Sequence, residues 1–210
     1  MIQIKKLSVS FNNEFVIRDF SMQLSQGQKL AIHGKSGIGK STLLNVIMGF
    51  VPDFMGEVFV NSIPLNPATV QQIRKLSAWL PQEMTFNFTT VEELFHASFD
   101  LAENRDKKPS QEEISQIFEE FEIEKSLLDR KVKEISGGQK QRILLASCLL
   151  LKKPLLFLDE PTSALDVGIK KKITDYILAQ KDVTVLAVTH DEYWIQQAER
   201  TLHLHDIQAI

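Results

Sequence analysis

The chain has 210 residues, 43% hydrophobic and 24% charged, with a net charge of −3 and one cysteine. That balance fits one large globular domain, or one domain carrying an inserted subdomain, with enough apolar material for a sizeable core. It excludes a disulfide framework and offers no basic stripe to nucleic acid, the largest cationic cluster being Lys170-Lys171-Lys172, so no nucleic-acid partner is expected.

The first residues, Met1 to Lys6, lack the apolar centre of a secretory leader, and no stretch approaches the ~20 apolar residues of a membrane span. Ile2, Ile4, Leu7, Val9 and Phe11 then alternate with polar residues, and after Asn12-Asn13 a second run ends in Phe20, Met22 and Leu24. This is antiparallel hairpin material. Ser25-Gln26-Gly27-Gln28 turns the chain into a short buried strand at residues 29–32.

Next comes Gly34-Lys35-Ser36-Gly37-Ile38-Gly39-Lys40-Ser41, which fits the pattern G-x-x-x-x-G-K-[ST], with a helix from Thr42 to Met48 that Gly49 can end. Strand, glycine loop and helix in that order form a phosphate-binding loop. The glycines turn backbone N–H groups inward, the helix N-terminus adds partial positive charge, Lys40 reaches the outer phosphates and Ser41 offers a hydroxyl to Mg²⁺. Pro52-Asp53 and Gly56 precede a strand at 57–60, so this part reads as a mixed sheet. A short helix at 70–74 leads to a strand at 76–80 that stops at Pro81-Gln82.

Residues 83–135 read as a helical insertion into a core made of 1–82 and 136–210. Thr89-Thr90 offers a cap, and Ile114, Ile117, Phe118 and Phe121 recur at helical spacing. Glu112, Glu113, Glu119, Glu120, Glu122 and Glu124 form a solvated face, and residues 104–109 an exposed loop. Phe86, Phe88, Val91, Leu94 and Phe95 either pack the insertion or line a groove for a partner helix.

Three further motifs follow. Ile135-Ser136-Gly137-Gly138-Gln139 begins a helix, with Ser136 as cap and the glycines exposing N–H groups at its positive end. Cys148, inside the apolar run 143–151, is a small buried hydrophobe. Leu155-Leu156-Phe157-Leu158 is a buried strand ending in Asp159-Glu160, where Asp159 can hold Mg²⁺ and Glu160 can polarise water. A last apolar strand, 183–189, ends at His190, level with that pair and suited to a γ-phosphate contact.

The phosphate loop, Gln82, Ser136-Gly137-Gly138-Gln139, Asp159-Glu160, Ser163-Ala164-Leu165-Asp166 and His190, in this order, resemble an ATP-binding cassette ATPase over essentially the whole chain. The resemblance implies an α/β phosphate-loop NTPase of that type: a mixed central sheet, an N-terminal antiparallel β part and an inserted α-helical subdomain. It implies ATP and Mg²⁺ as ligands. The nucleotide would meet residues 34–42, including Lys35, Ser36, Ile38 and Thr42, with Phe11 stacking on adenine and Phe15 near enough to compete. Catalysis would fall to Glu160, His190, Lys40 and Gln82, and the metal to Ser41, Gln82 and Asp159.

The resemblance also implies that Ser136 to Gln139 closes over ATP held by a second cassette, identical or paralogous, across an interface that residues 163–166 cross. The implied function is the ATP-hydrolysing subunit of a transporter, peripheral on the cytoplasmic face of the plasma membrane beside a separate transmembrane permease. A soluble cassette ATPase serving assembly, such as iron-sulfur cluster biogenesis, is the alternative. Two departures stand out: Ile135 opens the signature where Leu is usual, and His33 precedes the loop where an aliphatic is typical.

Overall fold

The computed structural model describes residues 1–82 and 87–204. In chain order the elements are β1 (Ile2–Phe11), β2 (Glu14–Leu24), β3 (Lys29–His33), α1 (Lys40–Ile47), β4 (Met55–Val60), β5 (Ile63–Pro64), α2 (Val70–Lys75) and β6 (Ser77–Leu80). There follow α3 (Val91–His96), α4 (Gln111–Glu120), α5 (Gly137–Leu150), β7 (Leu155–Asp159), α6 (Val167–Leu178), β8 (Thr184–Val188), α7 (Glu192–Gln197) and β9 (Arg200–His203).

The two strand directions segregate into separate sheets. One is antiparallel, in the order β2-β1-β4-β5; the other runs β6-β7-β8-β3-β9 and all its pairs are parallel. The alternation seen in residues 2–24 builds the first, closed by Asn12 and Asn13 at φ 50° and 64°, as a two-residue hairpin turn of matching twist requires. The continuous apolar runs build the second, because a parallel sheet is buried on both faces. In β7, Leu156 and Leu158 point to one core and Leu155 and Phe157 to the other.

One core lies between the parallel sheet, the antiparallel sheet and α1. The other joins the parallel sheet to α5, α6 and the helical stretch. Phe95, Phe99, Phe118 and Phe121 belong to the same apolar cluster as Leu144 and Leu158. Phe95 and Phe118 meet edge to face at 5.3 Å, a favoured aromatic geometry. α5 is buried on every side from Ile143 to Ser147, as a helix apolar all round must be.

The cap expected at Thr89-Thr90 forms at Thr90, and Ser110 caps α4 in the same way: each accepts from the N–H three residues on, and Glu93 and Glu113 reciprocate. The expected exposed loop at 104–109 needs correction: residues 102–107 form a 3-10 turn, and Asn104 is buried with Nδ2 donating 2.8 Å to the Ser98 carbonyl. Glu113 is not simply solvated either. Its ion pair with Lys152 and the Ser110 N–H hold its carboxyl down at about 2. Burial pushes the Cys148 thiol up to about 12, which leaves it an inert packing group.

Candidate functional site

Parallel pairing carries the chemistry to one edge. Because β6, β7, β8 and β3 are consecutive neighbours running the same way, the segments leaving their C-terminal ends converge. These are Gln82 after β6, Asp159-Glu160 at the end of β7, His190 after β8 and the glycine loop after β3.

They enclose an open cavity of about 500 Å³. Ser36, Gly37, Gly39, Lys40, Ser41 and Thr42 line one side, and Gln82, Asp159, Glu160, Ser163 and His190 the other. Another cleft of about 430 Å³, between Glu113, Gln116, Tyr176 and Gln180, holds none of the motif residues.

The loop is shaped by its glycines. Gly39 has φ 105°, and a Cβ there would sit 2.9 Å from Val16 Cγ1, so β2 presses on the loop where no side chain fits. Lys40 is 6% exposed, and its Nζ donates to the Gly34 and Lys35 carbonyls, each at 2.9 Å. Burial lowers its pKa, against the raising effect of Glu160 and Asp159. Gly34 and Ile38 sit behind the cavity wall, Ile38 packed against the core below; Lys35 is exposed and lines no part of the cavity.

Asp159 is 5% exposed, and burial raises its pKa, with the Glu160 charge adding to the effect and Ser41 and Lys40 opposing it. The Ser41 hydroxyl hydrogen-bonds the carboxyl, while Oδ1 is buried without a partner. Glu160 has the unusual φ of 49°. Its Oε2 accepts from the His190 N–H at 3.2 Å, and its Oε1 lies 3.5 Å from His190 Nε2.

Ser136 to Gln139 lies outside this cavity. The Ser136 hydroxyl accepts from the Gln139 N–H at 3.1 Å, and Gln139 Oε1 accepts from the Ser136 N–H at 2.9 Å. The motif is itself a capping box. Gly138 packs against the segment after Glu160, where a Cβ would come 2.7 Å from the Ala164 carbonyl oxygen. Phe11 and Phe15 are both exposed near the hairpin tip, and Arg18 stacks on Phe15. His33 meets His203 edge to face at 4.8 Å, across β3 and β9.

The sequence reading missed Gln141. It is buried, and it bonds the Glu160 carbonyl and the Ala164 N–H. Its available signal was a glutamine at the head of an otherwise apolar helical run. Of the aromatic set, Phe86 lies outside the described residues; Val91 and Phe95 are core, and Phe88 and Leu94 line an apolar groove with Trp79, Pro81, Ala97 and Leu101.

A parallel sheet whose strands deliver a glycine loop with Lys-Ser on one side and a buried Asp-Glu pair on the other defines a phosphate-loop NTPase. The family model for ABC transporters matches residues 17–163. The chain belongs to the ABC transporter family, and within it is an ATP-binding cassette ATPase.

It is 37% identical to the thiamine import ATP-binding protein ThiQ of Histophilus somni, over 97% of this chain and 96% of that protein. It is 32% identical to the Fe(3+) ions import ATP-binding protein FbpC of Pseudomonas fluorescens, over 91% of this chain and 53% of that one. The dimeric structure of MJ0796, a bacterial ABC transporter cassette, superposes with a TM-score of 0.84 at 26% identity, over 97% of this chain and 94% of that one. A second structure of that cassette, a post-hydrolysis state with ADP and Pi, gives 0.81. Relatives of this kind do not favour the assembly alternative.

Proposed function

We propose that the cavity binds ATP with Mg²⁺ and hydrolyses it, and that the chain thereby powers solute import through a separate membrane-spanning permease. The observation that carries this is the meeting of Lys40, Ser41, Gln82, Asp159, Glu160 and His190 in one cavity. The full-length likeness to a subunit named for thiamine import supports the direction of transport. No helix among the described residues is long and apolar enough to cross a membrane. In this reading the solute path belongs to the permease, and the cassette works at its cytoplasmic face.

The residues fit a magnesium ion. An orphaned buried carboxylate oxygen on Asp159, the Ser41 hydroxyl and the Gln82 amide are the hard oxygen donors that Mg²⁺ takes. Among the described residues no group of three or more His, Cys, Asp or Glu could hold a metal, so these donors would hold the ion together with the nucleotide. Bound there, the ion would supply positive charge against the phosphates.

The loop amides of residues 34–42 and the Lys40 ammonium hold the phosphates. Phe11 stacks on the base. Glu160 takes the proton of the attacking water as the bond from the γ-phosphorus to the leaving ADP oxygen breaks, and His190 holds the γ-phosphate beside it. Gln82 reports occupancy to the apolar groove between Trp79 and Leu101, where a helix of the permease docks.

The helical part described from residue 87 to 135 leads into α5, a lever between that groove and the motif at Ser136. That motif completes the site of a second cassette across a head-to-tail dimer, which closes on ATP and reopens after hydrolysis.

The test is complementation between chains. Lys40→Ala removes phosphate binding, and Ser136→Arg blocks the approach of the signature, so each mutant homodimer has two dead sites. A mixed dimer pairs the intact loop of one chain with the intact signature of the other and should regain ATP-dependent dimerisation and ATPase activity. A Ser136→Arg homodimer that hydrolyses ATP at the wild-type rate would sink the shared site.

A further inference from the structure

We infer that Gln141 is a positioning residue, whose amide holds the Glu160 backbone and the loop after it so that the carboxylate aims into the cavity. This rests on the reading of Glu160 as the group that activates water.

Glu160 has a conformation to be held. At φ 49° it occupies the left-handed region that a side chain with a Cβ rarely adopts, and such residues persist where the surroundings over-determine them. Its N–H donates to the Val188 carbonyl at 2.8 Å, and its carboxylate accepts from the His190 N–H at 3.2 Å. Both ties come from β8 and the segment after it. The Glu160 carbonyl is tied from the other side, where Gln141 Nε2 donates to it at 2.8 Å.

The other end of the same amide, Oε1, accepts from the Ala164 N–H at 3.0 Å, and Nε2 lies 3.4 Å from the Ser163 hydroxyl. Gln141 is 2% exposed, so these partners replace water. One end must donate to a carbonyl and the other accept from an N–H, which a glutamine does and a carboxylate does not. Gln141 stands two residues beyond Gln139 on α5, so any shift of that helix start is transmitted to the Glu160 backbone.

The experiment compares Gln141→Leu, which keeps size and loses both bonds, with Gln141→Glu, which keeps the acceptor and turns a carboxylate toward the Glu160 carbonyl. Ile143→Ala, a core truncation on the same helix, is the control for plain destabilisation. Both Gln141 variants should lower kcat about ten- to a hundredfold with KM for ATP within about twofold, the size of a lost buried hydrogen bond acting on the reacting geometry. Neither should slow turnover further in a Glu160→Gln background.

Amide hydrogen exchange should rise about tenfold or more across residues 162–165 while residues 184–188 stay protected, because Ala164 loses its acceptor. Unchanged kcat, kcat and KM worsening together, or an equal loss in Ile143→Ala at matched Tm would each overturn the positioning role. Should Glu160→Gln itself keep wild-type turnover, the reading of Glu160 fails instead, and exchange at Ala164 still decides whether Gln141 holds the loop. If Gln141→Leu does not fold, Gln141→Glu carries the same readouts.

Discussion

The chain starts two helices with glycine-rich segments, and it finishes them differently. At α1 the N-cap is Gly39 in the left-handed region, and no side chain caps the helix. At α5 the N-cap is Ser136, and a full capping box with Gln139 satisfies donors from within the chain. In the proposed reading the first N-terminus leaves its N–H groups for a phosphate in the cavity that Lys40 lines. The second satisfies its own donors and lies outside that cavity, where in the proposed dimer it would complete a neighbour's site.

Glu160→Gln should sharpen the contrast most. It keeps the shape of the cavity and should keep ATP affinity, while turnover falls about 10²- to 10⁴-fold through loss of the proton acceptor. Size-exclusion chromatography with ATP and Mg²⁺ should then show a trapped dimer; unchanged turnover would remove Glu160 from its role.

Gly138→Ala strikes the α5 side. The added methyl meets the Ala164 backbone oxygen at 2.7 Å, so urea unfolding should show a loss of about 1 to 3 kcal/mol. Fluorescent-nucleotide binding to the phosphate loop should be spared, and its loss would break the separation of the two helix starts. Ser136→Ala should cost about 1 kcal/mol, because α5 has a cap to lose. No equivalent loss is available at Gly39.

The smallest effect concerns pH. Burial raises Asp159, so between pH 3.8 and its folded pKa the folded chain holds more protons than the unfolded one. The stability this group contributes is complete below pH 3.8 and is lost as pH rises through the raised value. Asp159→Asn should flatten that slope in denaturation curves measured from pH 3.8 upward without Mg²⁺, and an unchanged slope would reject the assignment.

Local chemistry explains what was legible. The glycine loop, the Ser136 cap, the Asp159-Glu160 strand end and the alternating hairpin are all written within a few consecutive residues. Partners set by distant segments were not. Gln141 finds Glu160 19 residues away, Asn104 becomes buried through Ser98, and the segregation of strands into two sheets depends on β1 pairing with β4 rather than on any property of β4 itself. The bulges in β1 and β2, where Lys6 and Asp19 have φ near 49°, are bonded through Ser21 and Ser8 across the hairpin, and no local pattern announces them.

The place of β3 between β8 and β9 bears on how the protein is made. The strand that feeds the phosphate loop is complete by residue 33, yet its neighbours are residues 184–188 and 200–203. A ribosome emits some 150 residues before the first of them appears, at roughly 5 to 20 residues per second. Until then β3 is an apolar strand with both edges open, the kind of segment that chaperones shield and that aggregation exploits. Contacts of such long sequence separation also slow folding. The glycine loop is therefore among the first parts of the chain to be synthesised, and the sheet that positions it is among the last to take shape.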